Sequence, residues 1–293
     1  MKLLVDKNNL IILDKENIIN EYDLKIESNQ IIIDKEDDIF IYINDLLSQK
    51  PIEIRVKNDV KSKLFIVVTN SRTNVIKINF LLENNSELEL VSYFSAKNKA
   101  KLDFSRSFTL EKFSNLKLFN FLTYNGTLNI DETINMIGEG ANTKLEFLNL
   151  GKLSNVTNVL QEINHLAIKT KSMISNSLIA SNKSKLNYQV IGSIAKGMEY
   201  SDCSQSNRGI ILGEESEIAV EPTLLIDEYN VSASHGAAIG QIDENQLYYL
   251  KSRGLNEEEA RSLIIFGLTN PFIEKITDQG LKSLFKRQVN RIV

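Results

Sequence analysis

The chain has one cysteine, two histidines, three prolines and no tryptophan among its 293 residues. Its single cysteine, Cys203, excludes an internal disulfide and any metal or cluster site built only from thiolates of this chain. The longest apolar runs, residues 64–68 and 263–268, are too short to cross a bilayer, and residues 1–5 are too few for the core of a signal peptide. We therefore expect a cytoplasmic protein.

A strong charge of either sign is also missing. Lys and Arg total 34 against 38 Asp and Glu, which gives a formal net charge of -4. Such a balance provides no global basic field to attract nucleic acid or anionic lipid. The 42% hydrophobic content is sufficient for the core of one large domain, or of a domain with an appendage.

Common enzyme motifs are lacking as well. Gly151 and Lys152 are not preceded by the glycine of a phosphate-binding P-loop, which argues against nucleotide hydrolysis by this chain. The sequence has no Gly-x-Ser-x-Gly, His-Glu-x-x-His or Cys-x-x-Cys motif. We interpret His165 as a surface residue of a strand and Cys203 as a small buried hydrophobe.

What the sequence does contain, from Lys2 to about Leu225, is apolar residues in period-two alternation. The bursts include Leu10, Ile12 and Leu13; Ile31 and Ile33; Ile39, Ile41 and Ile43; Leu64, Ile66 and Val68. Such alternation is typical of half-buried strands. Only Pro51 and Pro222 interrupt the region, and helical spacing is confined to residues 44–49. The region is predicted to be β structure.

A weak internal repeat narrows the fold class. Its units are SELELVS (86–92), AKLDFS (100–105), NLKLFNF (115–121), TLNIDETI (127–134), TKLEFLNL (143–150), SKLNYQV (184–190) and SEIAVEP (216–222). They recur every ~12 to 16 residues or twice that, which fits a parallel β-helix with two strands per coil. A β-sandwich remains the alternative. Asn125-Gly126 is the only Asn-Gly pair, so antiparallel two-residue turns are disfavoured, and the pair itself suits a coil corner.

The pattern becomes helical after Gly240. Asp243 is a candidate N-cap, and Asn256 with the three following glutamates forms a capping box. Pro271 is predicted to occupy the first position of a further helix. We therefore expect a parallel β-helix core over residues 1–240 and a small C-terminal helical domain over residues 241–293.

His235 differs from His165 in its surroundings, because Ser234, Gly236, Ala237 and Ala238 are all small. In such a turn, either ring nitrogen of His235 is able to reach a metal or another chain. A structural hydrogen bond is the alternative reading.

The segment SHGAAIGQIDENQLYYLKSRGLNEEEARSLIIFG closely resembles the C-terminal signature of the SufB/SufD family, the scaffold proteins of the SUF iron-sulfur cluster assembly system. The upstream segment SQSNRGIILGEESEIAVEPTLLID is similar to that family's last β-helix coils. Together the two segments cover about residues 204–267. Residues 1–200 match the family in character only.

The resemblance implies a right-handed parallel β-helix followed by C-terminal helices. It also implies two partners. A second scaffold chain would pair through the end of the β-helix, and a SufC-type ABC ATPase would dock on the C-terminal helices. ATP hydrolysis by that ATPase would remodel the scaffold and expose the site of the nascent cluster.

Within the family the chain is SufD-like, because the histidine motif reads His235-Gly236-Ala237 and Leu250 takes the place of a cysteine after the tyrosine pair. The resemblance makes His235 a candidate ligand of iron or of a transient iron-sulfur cluster, facing a SufB cysteine. Relatives commonly have cysteine where this chain has Ala233, and serine where it has Cys203. The chain is also short for the family, so we expect a form without the N-terminal helical domain.

We therefore expect a non-enzymatic scaffold subunit that works with SufB and SufC, without contact to nucleic acid or membrane. One alternative is a homodimeric scaffold that acts with SufC alone. The other is a β-helical carbohydrate-active enzyme, which would leave the C-terminal motif unexplained. The participation of a flavin stays open.

Overall fold

A computed structural model describes residues 10–14, 17–20, 25–27, 30–44, 50–96 and 99–292 of the chain. Most of the predicted helical pattern at 44–49 lies outside these ranges. The described strands, in chain order, are β1 (Leu10–Asp14), β2 (Asn17–Asn20), β3 (Lys25–Glu27), β4 (Gln30–Ile33), β5 (Asp38–Asn44), β6 (Ile52–Val56), β7 (Lys61–Asn70), β8 (Asn74–Leu82), β9 (Glu87–Ala96), β10 (Ala100–Leu110), β11 (Asn115–Thr123), β12 (Gly126–Met136), β13 (Asn142–Gly151), β14 (Val156–His165), β15 (Lys171–Ala180), β16 (Lys185–Ile194), β17 (Asp202–Ile211), β18 (Glu217–Ile226) and β19 (Ser232–Gln241).

These strands form a parallel β-solenoid of about seven turns, which confirms the predicted fold class. From β4 onward, even-numbered strands stack in one sheet and odd-numbered strands from β5 stack in the other, each strand parallel to the next. Ala100 pairs with Gly126, 26 residues later, and Lys185 pairs with Glu217, 32 residues later. One coil therefore contributes one strand to each sheet, as the sequence repeat predicted.

The first strands depart from this parallel pattern. β2 pairs antiparallel with β1, and β3 pairs antiparallel with β4. On the N-terminal side, β2 is the last described strand of the odd-numbered sheet and β3 is the last described strand of the even-numbered sheet.

The hydrophobic core lies between the two sheets and follows from the pleat. Alternate residues of a strand face the same side, and in-register pairing stacks them into columns along the solenoid axis. One such column contains Leu90, Leu118, Leu145 and Ile174, which are all fully buried. Each rung thus buries its inward residues against the next rung.

Coil corners depend on residues with positive φ. Gly126 has a φ of 118°, and a Cβ there would lie 2.0 Å from the Ala100 carbonyl oxygen, so glycine is required at this corner. The prediction that Asn125-Gly126 forms a coil corner is therefore confirmed. At another corner the backbone N–H of Phe113, with a φ of 56°, donates to the Glu139 carbonyl of the following coil.

The interior also holds a buried polar group. Arg106 and Glu132 form an ion pair in which both side chains are fully buried. Arg106 also donates to Ser92 Oγ at 2.7 Å and to Asn120 Oδ1 at 2.8 Å. The guanidinium carbon lies 5.2 Å from the ring centroid of Phe104. Hydrogen bonds and a counter-ion thus compensate the loss of hydration of the charge.

Three helices follow β19: α1 (Glu244–Ser252), α2 (Glu257–Ile273) and α3 (Gln279–Val289). The Asp243 side chain accepts a hydrogen bond from the backbone N–H of Asn245 at 2.8 Å, which confirms it as an N-cap. The Asn256 and Glu259 side chains each accept from the other's backbone N–H at 2.9 Å, so the predicted capping box is also confirmed. No helix in the described part of the chain is long and apolar enough to cross a membrane.

The prediction that Pro271 opens a separate helix is wrong. α2 continues through Pro271 and ends at Ile273. Proline removes one hydrogen bond, to the carbonyl four residues earlier, but here it does so in the last turn of the helix. Burial of Phe272 and Ile273 offsets that loss, because both pack in a hydrophobic cluster on the outer face of the solenoid.

That cluster joins α2 and α3 to the odd-numbered sheet. Phe285 of α3 stacks on Phe121 of β11, with ring centroids 4.1 Å apart, and tilts against Tyr93 of β9 at 5.7 Å. Lys275 extends to Glu146 of β13 at 2.7 Å. α2 and α3 therefore lie along the side of the solenoid, while α1 has no buried residue.

Candidate metal-ligand site at the open end of the solenoid

His235 lies in the middle of β19, which is the last strand of the odd-numbered sheet. The expectation that it lies in a turn is wrong. Its small neighbours adopt the extended conformation because β17 provides a complete parallel ladder for them, from Asp202–Ser232 to Ile211–Gln241. The Asn207 side chain adds a bond to the Gly236 carbonyl at 3.1 Å.

The register places His235 on the inward side of its strand. It pairs with Gln205, which in turn pairs with Ile174 of the buried leucine column. Ile239, on the same side of β19, places its Cδ1 2.8 Å from the position of a Cβ on Gly209. His235 therefore occupies a position that would belong to the core if another coil followed.

The imidazole is exposed because β18 and β19 form the last rung in the described part of the chain. The corresponding residues of β17, Cys203, Gln205 and Asn207, are buried. On β19 the residues from Ser232 to Ala238 are all exposed. We call this rung of β18 and β19 the open end. Its inward-facing residues are exposed, and His235 lies among small side chains there.

Beneath His235 lies Gln205, which was not predicted as a site residue. Its Nε2 donates to the Thr223 carbonyl of β18 at 3.2 Å. Its Oε1 is buried and has no hydrogen-bond partner among the described residues. The period-two alternation of β17 and β19 places both Gln205 and His235 on the inward face. That alternation was the sequence signal by which Gln205 could have been found.

Cys203 is fully buried two residues before Gln205, which confirms the prediction of a buried residue. Burial raises the pKa of the Cys203 thiol, and a hydrogen bond with Ser172 partly opposes that rise. The unliganded thiol is therefore protonated at neutral pH.

The prediction that His165 lies on the strand surface is wrong, although it does lie in a strand. It is the last residue of β14, it faces inward, and its exposed fraction is 0%. Its Nδ1 lies 2.7 Å from Thr170 Oγ1 and its Nε2 lies 2.9 Å from Ser172 Oγ. Burial lowers the pKa of His165 to about 4, against a weaker opposing effect of Thr170. Both ring nitrogens are engaged, which leaves His235 as the available histidine.

The open end of the solenoid has the chemistry of an incomplete metal site. The described residues contain no cluster of three or more His, Cys, Asp or Glu side chains able to hold a metal ion. Imidazole nitrogen is a suitable ligand for iron and other first-row metals. His235 is thus suited to supply one ligand to a group whose remaining ligands come from elsewhere.

A second surface lies on the helices. Tyr248 and Tyr249 of α1 and Leu263 of α2 are large, apolar and exposed. Leu250 and Ile264 line a shallow cavity of about 350 Å³ between these two helices, together with Tyr249. Exposed apolar surface of this kind is typical of protein interaction sites.

Residues 44–268 match the family described as "SUF system FeS cluster assembly, SufBD core domain". The chain is 29% identical to the iron-sulfur cluster assembly protein SufD of Bacillus subtilis (strain 168) over 163 residues, which is 56% of this chain and 37% of that protein. It is 26% identical to SufD of Escherichia coli (strain K12) over 163 residues, 56% of this chain and 38% of that protein. An iron-sulfur cluster assembly SufBD family protein of Staphylococcus epidermidis (strain ATCC 12228 / FDA PCI 1200) is 31% identical over 145 residues, 48% of this chain and 30% of the relative. The matches thus span less than two fifths of each relative.

Proposed function

Because the chain belongs to the SufBD core-domain family of the SUF iron-sulfur cluster assembly system, we propose that it is a SufD-like scaffold subunit. In this proposal it pairs with a SufB-like chain through the open end and docks a SufC-type ATPase through its C-terminal helical domain. ATP hydrolysis belongs to the ATPase, and iron and the nascent cluster are the cargo. We place this activity in the cytoplasm. Family membership sets aside the carbohydrate-active alternative.

The exposed inward face of the last rung supports the pairing. Leu224 and Ile226 of β18 and Ala237 of β19 share this face, and none of them is fully buried. A solenoid rung buries its apolar face only by stacking on a neighbour, so a second chain gains stability by covering it. The observation that carries the proposal is the position of His235 on this same face, where a covering chain would contact it.

Two neighbouring alanines provide a matched test of the pairing. Ala237 faces inward at the open end and Ala238 faces outward on the same strand, and both are exposed. We expect Ala237→Lys to abolish association with a SufB-like chain, because it places a charge in an apolar interface. Ala238→Lys should associate as the wild type does.

Light scattering coupled to size exclusion, on the chain alone and mixed with the SufB-like chain, separates the alternatives. A dimer of the chain alone that Ala237→Lys dissociates supports the homodimeric scaffold instead. Equal association of both lysine variants would contradict pairing through this face.

The apolar surface on α1 and α2 supports ATPase docking. The fold also decides how docking is best tested. Removal of the helices would expose Phe121 and Tyr93, which α3 covers, so a truncation would confuse loss of docking with loss of stability. Substitutions at exposed positions avoid this difficulty.

We expect the double variant Tyr248→Ser with Leu263→Ser to reduce co-purification of a SufC-type ATPase, since both side chains are exposed in the free chain. Arg287→Ser, at an exposed position of α3, serves as the control. Far-ultraviolet circular dichroism should be unchanged in the double variant and in Arg287→Ser. Full retention of the ATPase by the Tyr248 and Leu263 double variant would contradict docking on this surface.

A further inference from the structure

We propose that the end of α3 and the neighbouring edge of the odd-numbered sheet form a binding site for a phosphate group, held by the side chains of Lys152, Arg287 and Arg291. The phosphate is either the inorganic ion or part of a small phosphate monoester, because the side chains recognise the group itself. The site uses none of the residues assigned above to the open end or to the apolar surface on α1 and α2. The inference therefore does not rest on the proposed function.

The cations of α3 fall into two groups. Lys282 Nζ and Lys286 Nζ lie 2.7 Å and 2.9 Å from the carboxylate oxygens of Glu274, and their hydrogen bonds lower the pKa of Glu274 to about 2. Arg287 and Arg291, in contrast, form no ion pair within the described part of the chain. The helix dipole supplies only about half an elementary charge at this end, so both guanidinium groups are still able to bind an anion.

Lys152 adds a third cation from the coil corner that follows β13. Its Nζ donates to the Gln288 carbonyl in the last turn of α3 at 3.1 Å. Burial lowers the pKa of the half-buried Lys152, and the charge of Arg291 lowers it further. Among the described residues, no acid pairs with this ammonium group. Like charges held together without a counter-ion repel each other, and a bound anion would remove that repulsion.

The geometry of α3 places both arginines beside the Lys152 contact. Arg287 precedes Gln288, and the backbone N–H of Arg291 donates to the Gln288 carbonyl at 3.3 Å. Asn290 keeps the helical conformation, with a φ of -58° and a ψ of -16°, so the turn continues to Arg291. Residues four apart on a helix are neighbours on one face. The three cations therefore surround one point at the end of α3.

Hydroxyl groups of the sheet line the same region. Tyr93 of β9 is almost fully buried, and its hydroxyl lies 3.1 Å from Thr123 Oγ1 of β11. Burial raises the pKa of Tyr93, whereas hydrogen bonds with Thr123 and Ser95 and the charges of Arg291 and Arg287 oppose that rise. Both guanidinium groups are thus near the Tyr93 hydroxyl. Thr123 and Ser95 are only partly buried, which leaves their hydroxyls available to a ligand.

This set of donors suits a phosphate group. Guanidinium groups bind phosphate through two parallel N–H···O bonds, and lysine contributes a compact positive charge. A phosphate monoester carries about 1.5 to 2 negative charges at neutral pH and has three strong acceptor oxygens. A carboxylate has one charge and two oxygens, so it would satisfy fewer of the donors.

Isothermal titration calorimetry of the purified chain with inorganic phosphate provides the test, in about 0.1 M sodium chloride so that charges more than about 10 Å apart are largely screened. We expect one phosphate to bind per chain. Arg291→Gln should weaken the binding about tenfold or more, which is the loss expected for one hydrogen bond to a charged group. Lys152→Met should show a similar loss, because it removes the ammonium group and keeps an unbranched side chain.

Lys286→Gln is the matched control. It removes one positive charge from the last turn of α3, but at a lysine that already has a counter-ion, so it should bind phosphate as the wild type does. Absence of saturable phosphate binding to the wild type, or equal weakening in Lys286→Gln and Arg291→Gln, would overturn the inference. Arg291 is exposed and lies beyond the end of α3, so its replacement remains a valid test even if Lys152→Met loses stability.

Two further titrations define the ligand. Acetate should bind more weakly than phosphate, and equal affinity for the two anions would contradict the assignment of a phosphate site. Glycerol 3-phosphate distinguishes the two sources of the group. Tighter binding than that of inorganic phosphate supports a monoester as the ligand, and equal or weaker binding supports the free ion.

Discussion

The buried pair of Arg106 and Glu132 should be strongly coupled energetically. Replacement of Glu132 by Leu leaves the Arg106 charge fully buried without a counter-ion, and replacement of Arg106 by Met does the same to Glu132. Each single change should cost about 3–5 kcal/mol. Without coupling, the double variant would therefore lose about 6–10 kcal/mol, which is comparable to the whole stability of a typical domain.

The double variant Arg106→Met with Glu132→Leu should lose far less. It removes both charges together, and the replacements are apolar side chains of similar volume among Phe94, Phe104 and Phe108. The remaining cost comes from Asn120, which bonds to both partners and would lose them, by about 1–3 kcal/mol. We therefore expect a coupling energy of about 3 kcal/mol or more.

Urea unfolding of the wild type, both single variants and the double variant measures this coupling. Circular dichroism and tyrosine fluorescence serve as the two probes, since the chain has no tryptophan. Additivity of the single effects within about 0.5 kcal/mol would refute a direct interaction inside the solenoid. Glu162→Gln, an outward-facing acid of β14, is the control and should change stability by less than about 0.5 kcal/mol.

Two other predictions follow from buried side chains. Phe285→Ala should cost about 3–5 kcal/mol, because it leaves a cavity against Phe121, and retention of wild-type stability in urea would contradict the packing of α3 on the sheet. His165 has a pKa of about 4 in the fold against about 6.5 when unfolded, so the unfolded chain binds the proton first as the pH falls. Between pH 7 and pH 4 the wild type should lose about 3 kcal/mol more stability than His165→Gln. Parallel pH profiles of these two chains would contradict that assignment.

Alternation was sufficient to predict the strands, since a strand buried on one face requires period-two apolar residues. The repeat spacing favoured a solenoid but left a β-sandwich as the alternative, and the resemblance to the SufB/SufD family then implied the solenoid. The helix starts were also predictable, because Asp243 and Asn256 satisfy backbone N–H groups within their own turns. Strand alternation and helix caps depend on residues close together in the chain. Such features can therefore be predicted from one sequence alone.

Features that depend on non-local packing were not predicted. Arg106 and Glu132 both lie at inward-facing positions of their strands. Alternation alone, however, does not show that these two charged residues meet across neighbouring rungs. Pro271 continues α2 because the sheet surface buries Phe272. The burial of His165 could have been predicted, because it lies two residues after Ile163 in the same strand and so faces inward as Ile163 does.

The position of His235 needed both kinds of information. Its small neighbours indicated an accessible imidazole, and that was correct. They did not distinguish a turn from the last strand of a sheet, because Ser, Ala and Gly occur in both. Only the pairing with Gln205 shows that His235 lies on the inward-facing side of the last described strand.

The measurement that tests the central claim most directly is cluster formation on the complex of this chain with SufB-like and SufC-type partners. Iron, sulfide and visible absorption are to be compared between His235→Ala and the neighbouring control Ser234→Ala, which faces outward. We predict that both variants form the complex and that only His235→Ala loses the cluster. A full cluster on the His235→Ala complex would contradict the account.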